Sequence, residues 1–147
     1  MSEDLYSLLK QHNSYLQGAF THYCLAVHDE GLRKFLNSMH SQEKSQQETV
    51  DEHAAELSSC SAQTQTIADL VSHISDISMA LEALIQLPRL KYLEHMLEMG
   101  KYTGQLYYES EVVCKSHQLK ELLHSLYEEE KRHIALLEDR YELEQLH

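Results

Sequence analysis

Proline, glycine and tryptophan are scarce in this sequence: its 147 residues include one proline, four glycines and no tryptophan. So few turn-forming residues exclude a fold of many short strands and favour long helices. The length is enough to bury one sizeable core, and we predict a single domain over residues 1–147.

Basic residues are also few. Lys and Arg total 12 against 24 Asp and Glu, which gives a formal net charge of -12. A surface of that sign repels phosphate backbones and anionic lipid headgroups. We therefore predict no nucleic-acid partner and no membrane association.

Cysteines and long apolar runs are equally limited. Cys24, Cys60 and Cys114 are odd in number and lack the spacing of a metal site, which is typical of a reducing compartment. The acidic start at Met1 carries no signal-peptide pattern, and no stretch approaches the ~20 apolar residues of a membrane span. The sequence predicts a cytoplasmic protein.

Apolar residues recur at steps of three and four along most of the chain, as in amphipathic helices. Four long helices are predicted: Leu5 to about His28 with Ser2 as its cap, Leu32 to about Leu57, about Arg89 to Cys114, and about Gln118 to Leu143. Gly31 is expected in the left-handed conformation between the first two. A long crossover with a short helix or two lies between Thr66 and Leu87, interrupted near Ser75 and Asp76, and Pro88 begins the next helix. Two tight connections and one long crossover favour an all-α four-helix bundle.

A shift of 87 residues, from Leu32 to Leu119, places helix four on helix two. The apolar ladder is preserved: Leu32, Leu36, Met39 and Val50 fall on Leu119, Leu123, Leu126 and Leu137. In the same seam Glu43 falls on Glu130 and Gln46 on His133. A buried carboxylate costs several kcal/mol unless it is paired or metal-bound, so two at matching positions need an explanation.

The Glu130-x-x-His133 spacing places a carboxylate and an imidazole one turn apart on one helix face, within reach of one metal ion. This donor set suits iron, manganese or zinc. At these residues the sequence resembles the rubrerythrin and ferritin-like family of di-iron carboxylate proteins. That family carries Glu-x-x-His on its second and fourth helices and one further Glu on its first and third. Glu43-x-x-Gln46 keeps the glutamate of this motif and replaces the histidine.

The resemblance implies a ferritin-like four-helix bundle with a reduced ligand set. Counting back about thirty residues from each motif glutamate, as the family pattern requires, reaches Asn13 and Gly100, and neither is a carboxylate. The implied metal ligands are Glu43, Glu130 and His133, with Gln46 and Asn13 as further oxygen donors. Iron is the implied cofactor, with manganese, zinc or no metal as alternatives, and enzymatic activity is left open.

Helix three has a second possible register, in which a slip of one turn would replace Gly100 by a neighbour such as Glu98 or Thr103.

Metal-free interpretations fit the same residues. Residues 128–133 form a charge run that a solvated helix face would also show. The four seam residues Glu43, Gln46, Glu130 and His133 would also form a hydrogen-bonded polar layer that fixes helix register. The protein would then be a structural or interaction module, with an exposed apolar crossover at residues 85–90 as a partner or dimer surface. We expect a homodimer in either case.

The other histidines share no spacing, and most are predicted at the surface: His12, His22, His28, His40, His73, His95, His117, His124 and His147. Hemerythrin, another four-helix iron fold, needs His-x-x-x-His on one helix, and no predicted helix carries that pattern. His53 continues the seam of helix two and is expected to form a hydrogen bond near its end.

Overall fold

The computed structural model describes residues 4–146, which form seven helices and no strand beyond one isolated bridge between Asp4 and Ser61. The helices are α1 Leu5–Ala26, α2 Glu30–Glu52, α3 Ala54–Ser58, α4 Gln65–Ile77, α5 Leu81–Leu84, α6 Arg89–Val113 and α7 His117–Gln145. The predicted all-α class is confirmed. None of these helices has the length and apolarity needed to cross a membrane.

The described chain divides into two units. The first comprises residues 4–61 and 79–86, and the second comprises residues 62–78 and 87–146. Within the first unit α1 packs against α2, and within the second α6 packs against α7. Each unit is thus built on one helical hairpin, and the single domain stays a prediction.

The ends of α1 and α2 follow ordinary capping chemistry. The Ser7 N–H donates to Asp4 Oδ1 at 2.7 Å, so Asp4 caps α1, and the predicted cap Ser2 lies outside the described residues. Asp29 caps α2 by accepting from the Leu32 N–H at 2.7 Å. The prediction for Gly31 is wrong: no described glycine has a positive φ, and Gly31 lies in the first turn of α2. Asp29, as an N-cap, already supplies the signal that starts the helix.

Helix two ends earlier than predicted. α2 stops at Glu52, His53 caps it, and the chain resumes as the short α3, which includes Leu57. The His53 ring Nδ1 lies 3.0 Å from the Thr49 carbonyl oxygen of its own helix. The hydrogen bond expected of His53 is therefore made with the backbone, at the place where the helix breaks.

A tyrosine anchors the second half of the crossover to α1. The Tyr15 hydroxyl donates to the Met79 carbonyl at 2.9 Å and accepts from the Met79 N–H at 3.1 Å. A Cβ added to Gly18 would lie 3.4 Å from Leu81, so this glycine allows α5 to approach α1 closely. The crossover is interrupted at residues 78–80, slightly later than predicted.

The apolar crossover is less exposed than predicted. Leu84 is buried, and Ile85, Leu87 and Leu90 are partly covered. Much of the apolar surface expected at residues 85–90 is therefore already used by the chain itself.

In the second unit, α6 and α7 match the predicted third and fourth helices to within two residues at each end. Pro88 is the N-cap of α6, one position before its first turn. Gly100 and Gly104, one turn apart on α6, lie against α7. A Cβ added to Gly100 would be 3.3 Å from Ile134 Cγ1, and one added to Gly104 would be 3.9 Å from Tyr127 Cε1. The first distance is tight and the second is an ordinary contact, so the close approach of the two helices depends on the missing side chain of Gly100.

The predicted repeat is present in the burial pattern of the two hairpins. The residues buried in α2 are Leu32, Leu36, Met39, Glu43, Gln46 and Val50. Adding 87 to each number gives buried residues of α7: Leu119, Leu123, Leu126, Glu130, His133 and Leu137. The caps obey the same shift, since Val27 and Asp29 correspond to Cys114 and Ser116. The same heptad seam is therefore used in both units.

A buried ion pair joins the start of α6 to the end of α7. Glu144 is 2% exposed, and its Oε2 accepts a hydrogen bond from Arg140 Nη2 at 3.1 Å. Its Oε1 lies 3.4 Å from Arg89 Nε without hydrogen-bond geometry, so this second contact is an ion pair only. The buried carboxylate thus contacts two guanidinium groups.

Replacing Glu144 by alanine should lower the free energy of unfolding by about 3 kcal/mol, because the largely buried Arg140 guanidinium would lose its counter-charge. Urea denaturation followed by circular dichroism measures this loss. The double variant Arg140→Met, Glu144→Leu should regain most of the stability, and Glu142→Ala on the exposed face is the control. Equal losses in Glu144→Ala and Glu142→Ala would contradict a stabilising role of this cluster.

Candidate metal centre

The buried polar residues of the second unit centre on Glu130 and His133 of α7. They are 1% and 6% exposed, one turn apart on the inward seam. His133 Nδ1 lies 3.3 Å from Glu130 Oε2. If both atoms bound one metal ion at about 2.1 Å, the ligand–metal–ligand angle would be ~100°. That angle lies between octahedral and tetrahedral geometry, so the pair fits a single transition-metal ion.

The α6 residues beside Glu130 settle the register of helix three. A Cβ on Gly100 would lie 3.7 Å from Glu130 Oε1, and one on Gly104 would lie 3.9 Å from Glu130 Cγ. Glu98 is exposed, and the buried Thr103 hydroxyl donates to the Met99 carbonyl at 2.7 Å. Gly100 therefore occupies the inward position predicted for it, and the third helix brings no carboxylate to Glu130.

The remaining predicted ligands belong to the first unit. Asn13 on α1 and Glu43 and Gln46 on α2 are each 1% exposed. All three have polar partners. Glu43 and Gln46 occupy the same turn of the α2 seam that Glu130 and His133 occupy in α7. The structure thus brings Glu130 and His133 together within the second unit and buries the other three in the first.

One buried histidine was missed. His12 was predicted at the surface, yet it is 7% exposed, and burial lowers its pKa from 6.5 to about 4. The signal was present in the sequence, because His12 lies between Leu9 and Leu16 on the apolar face of α1. Five of the other histidines predicted at the surface are exposed: His22, His28, His73, His117 and His124. Two are partly covered, His40 and His95. His147 lies outside the described residues.

The three cysteines are not candidate metal ligands. Cys24 and Cys114 are buried, and Cys60 is partly covered with its Sγ 3.7 Å from the Glu56 carbonyl oxygen. None of the three is in a disulfide. The donor groups relevant to a metal are therefore carboxylate oxygen and imidazole nitrogen, a combination that suits iron, manganese and zinc.

Comparison of the chain with protein-family models, with curated proteins and with solved structures finds no match. The resemblance to the ferritin-like family therefore depends on the Glu-x-x-His motif, the helix pattern and the repeat.

The buried His12 predicts a pH dependence of the metal-free protein. Its folded-state pKa lies below the unfolded value, so the unfolded chain binds the proton first on acidification. The contribution of His12 to the free energy of unfolding is complete above the pKa of the unfolded chain and is lost as the pH falls toward the pKa of the folded state. Between pH 7 and pH 5 the free energy of unfolding should therefore fall by about 2 kcal/mol. Urea denaturation in the presence of chelator measures this loss.

His12→Met places in α1 the residue found at the shifted position Met99, and it should remove this part of the pH dependence. His22→Gln, at an exposed histidine of the same helix, should leave it unchanged. Equal pH slopes for the wild type and His12→Met would show that His12 is not the titrating group.

Proposed function

We propose that this chain is a ferritin-like helical protein that binds one transition-metal ion through Glu43, Glu130 and His133. Iron is the proposed metal, with manganese and zinc as alternatives. The observation that carries the proposal is the buried Glu130–His133 pair, with donor atoms 3.3 Å apart. A carboxylate and an imidazole at that separation have the spacing of two ligands on one ion.

Glu43 is proposed as the third ligand because of the repeat. It holds the seam position of Glu130 in the other hairpin, and it is equally buried. An ionised carboxylate in such a position needs a compensating positive charge, and a divalent cation can compensate two of them. Gln46 and Asn13 are the proposed additional oxygen donors, and water would complete the coordination.

The departures from the family motif limit the site to one metal. Gly100 offers no side-chain ligand, and Gln46 stands where a second imidazole would be required. Bound iron would supply redox chemistry, and an oxygen- or peroxide-linked reaction is what the resemblance implies if the protein is an enzyme. The residues of this chain would hold the ion and exclude bulk water from it, since all the proposed ligands are at least nine-tenths buried.

A second candidate function is a metal-free structural or interaction module. The observation that favours it is the same contact, because His133 and Glu130 also form a hydrogen bond with each other. Such a polar layer would fix the register of the helices without any ion. Metal retention by the purified protein separates these two candidates.

The remaining parts of the proposal concern the assembly and its location. We propose a homodimer, for which exposed apolar side chains on α6 and α7 offer surface: Val112, Leu136 and Leu143. A cytoplasmic location agrees with three cysteines that form no disulfide. The negative net charge supports the absence of a nucleic-acid partner.

Elemental analysis after anaerobic Fe(II) loading and desalting should find about one iron per chain. His133→Gln and Glu130→Gln should each weaken binding by at least ~10-fold, because each removes a ligand while preserving side-chain shape. Saturating metal should also raise the melting temperature of the wild type, since the ion binds only the folded state.

Matched controls come from the same helix. His124→Gln and Glu128→Gln change the same residue types at more exposed positions, and they should retain metal as the wild type does. Wild-type protein that holds no iron, manganese or zinc after loading would contradict the proposal and favour the metal-free module.

Gln46→His tests why the site is limited to one ion. It would give α2 the Glu-x-x-His pattern of α7, and we expect retained metal to rise from about one to about two per chain. Gln42→His, one turn earlier and off the buried seam, should leave the count at one. An unchanged count in Gln46→His would mean that Glu43 is not placed to ligate.

A further inference from the structure

A surface groove of about 290 Å³ runs between α6 and α7, away from the buried seam. Seven residues line it: Lys101, Gly104, Gln105, Tyr108, Tyr127, Lys131 and Ile134. All belong to the second unit. Gly104 is one of the lining residues, and a Cβ there would lie at an ordinary contact distance, 3.9 Å, from Tyr127, Glu130 and Ile134.

The walls of the groove are aromatic and aliphatic. Tyr108 and Tyr127 have ring centroids 5.7 Å apart at an interplanar angle of 57°, and Ile134 completes the floor beside Gly104. Tyr108 is 48% exposed. An aromatic ring placed over Gly104 would find tyrosine faces and edges available for offset or edge-to-face packing.

The charge of the groove is opposite to that of the chain. Two of the seven lining residues are lysines and none is acidic, although acidic residues outnumber basic ones by 24 to 12 in the whole sequence. Lys131 Nζ lies 5.1 Å from the centroid of the Tyr127 ring and 3.4 Å from Glu128 Oε1. Lys101, on the opposite wall, is exposed and has no ion-pair partner among residues 4–146. An anionic group at the rim would therefore lie near the Lys101 ammonium, which has no ion-pair partner in that range, and near the Lys131 ammonium, whose charge is partly neutralised by Glu128.

We propose that this groove binds a small aromatic anion, with one or two rings over Gly104 and a carboxylate or sulfonate between Lys101 and Lys131. The volume accommodates a molecule of that size, and the lining provides what its two ends require: an apolar bed and a cationic rim. None of the proposed metal ligands lines the groove, although Glu130 Cγ lies 3.9 Å from the Cβ position of Gly104, and the proposal does not depend on a bound metal.

The test uses 2-naphthoate as the probe and 2-naphthalenemethanol as its neutral counterpart, both titrated into ¹⁵N-labelled protein with chelator present. Naphthoate should saturate with a Kd on the order of 0.1–1 mM and shift the amides of Gly104, Gln105 and Ile134. The alcohol should bind at least ~5-fold more weakly, because it lacks the charge. Failure of these shifts to saturate would overturn the proposal, whatever the metal experiments show.

Variants on each wall test the binding of the anionic group and the binding of the aromatic ring separately. Lys101→Gln and Lys131→Gln should each raise the Kd about 3-fold or more, while Lys34→Gln, at an exposed lysine of α2, should not. Gly104→Leu should fill the groove and abolish binding, and the lysine variants keep the test valid if that protein fails to fold. Equal binding of acid and alcohol, or unchanged binding in both lysine variants, would contradict an anion site. A wild-type dimer that excludes the probe and dissociates in Gly104→Leu would instead assign the groove to a second copy of the chain.

Discussion

The burial of ionisable groups inside a helical seam is the constraint on which this structure depends. Glu43 and Glu130 each occupy a core position on a mostly apolar seam, at a cost of several kcal/mol without compensation. The imidazole of His133 offsets part of that cost for Glu130. A shared divalent cation would offset more, because its charge can neutralise both carboxylates while its ligand bonds replace lost hydration. Glu144 meets the same constraint differently, through two arginines.

The 87-residue repeat makes the two hairpins comparable position by position. The helix ends at the connection, the caps there and the buried seams agree between them, whereas α7 continues past the position that corresponds to the break at His53. The polar residues also differ: Gln46 against His133, and Leu57 against Glu144. The apolar ladder thus sets the shape of each hairpin, and the polar substitutions give each its own chemistry. The second hairpin carries the better ligand pair and the buried ion-pair cluster, and the first carries a carboxylate with amide neighbours.

Local patterns predicted the all-α class, the long helices and the inward positions of Glu130 and His133. The seam of α7 and its Glu130–His133 contact follow from heptad spacing alone, since residues three apart on a helix share a face. The break at His53 does not follow from the pattern, because the apolar period continues from Val50 to Leu57 and no glycine or proline marks the interruption. Burial of His12 was missed because its residue type was weighed above its position between Leu9 and Leu16. The groove beside Gly104 could not be foreseen, because it depends on which residues of α7 lie opposite that glycine.

The measurement that tests the central claim most directly is anomalous X-ray diffraction at the iron, manganese and zinc edges from crystals of the metal-loaded protein. The account predicts one anomalous peak per chain, within about 2.3 Å of a carboxylate oxygen of Glu130 and a ring nitrogen of His133, with a Glu43 oxygen in the same coordination sphere. A peak confined to surface groups such as His117 and Glu121, or no peak with Glu130 and His133 still hydrogen-bonded, would contradict it.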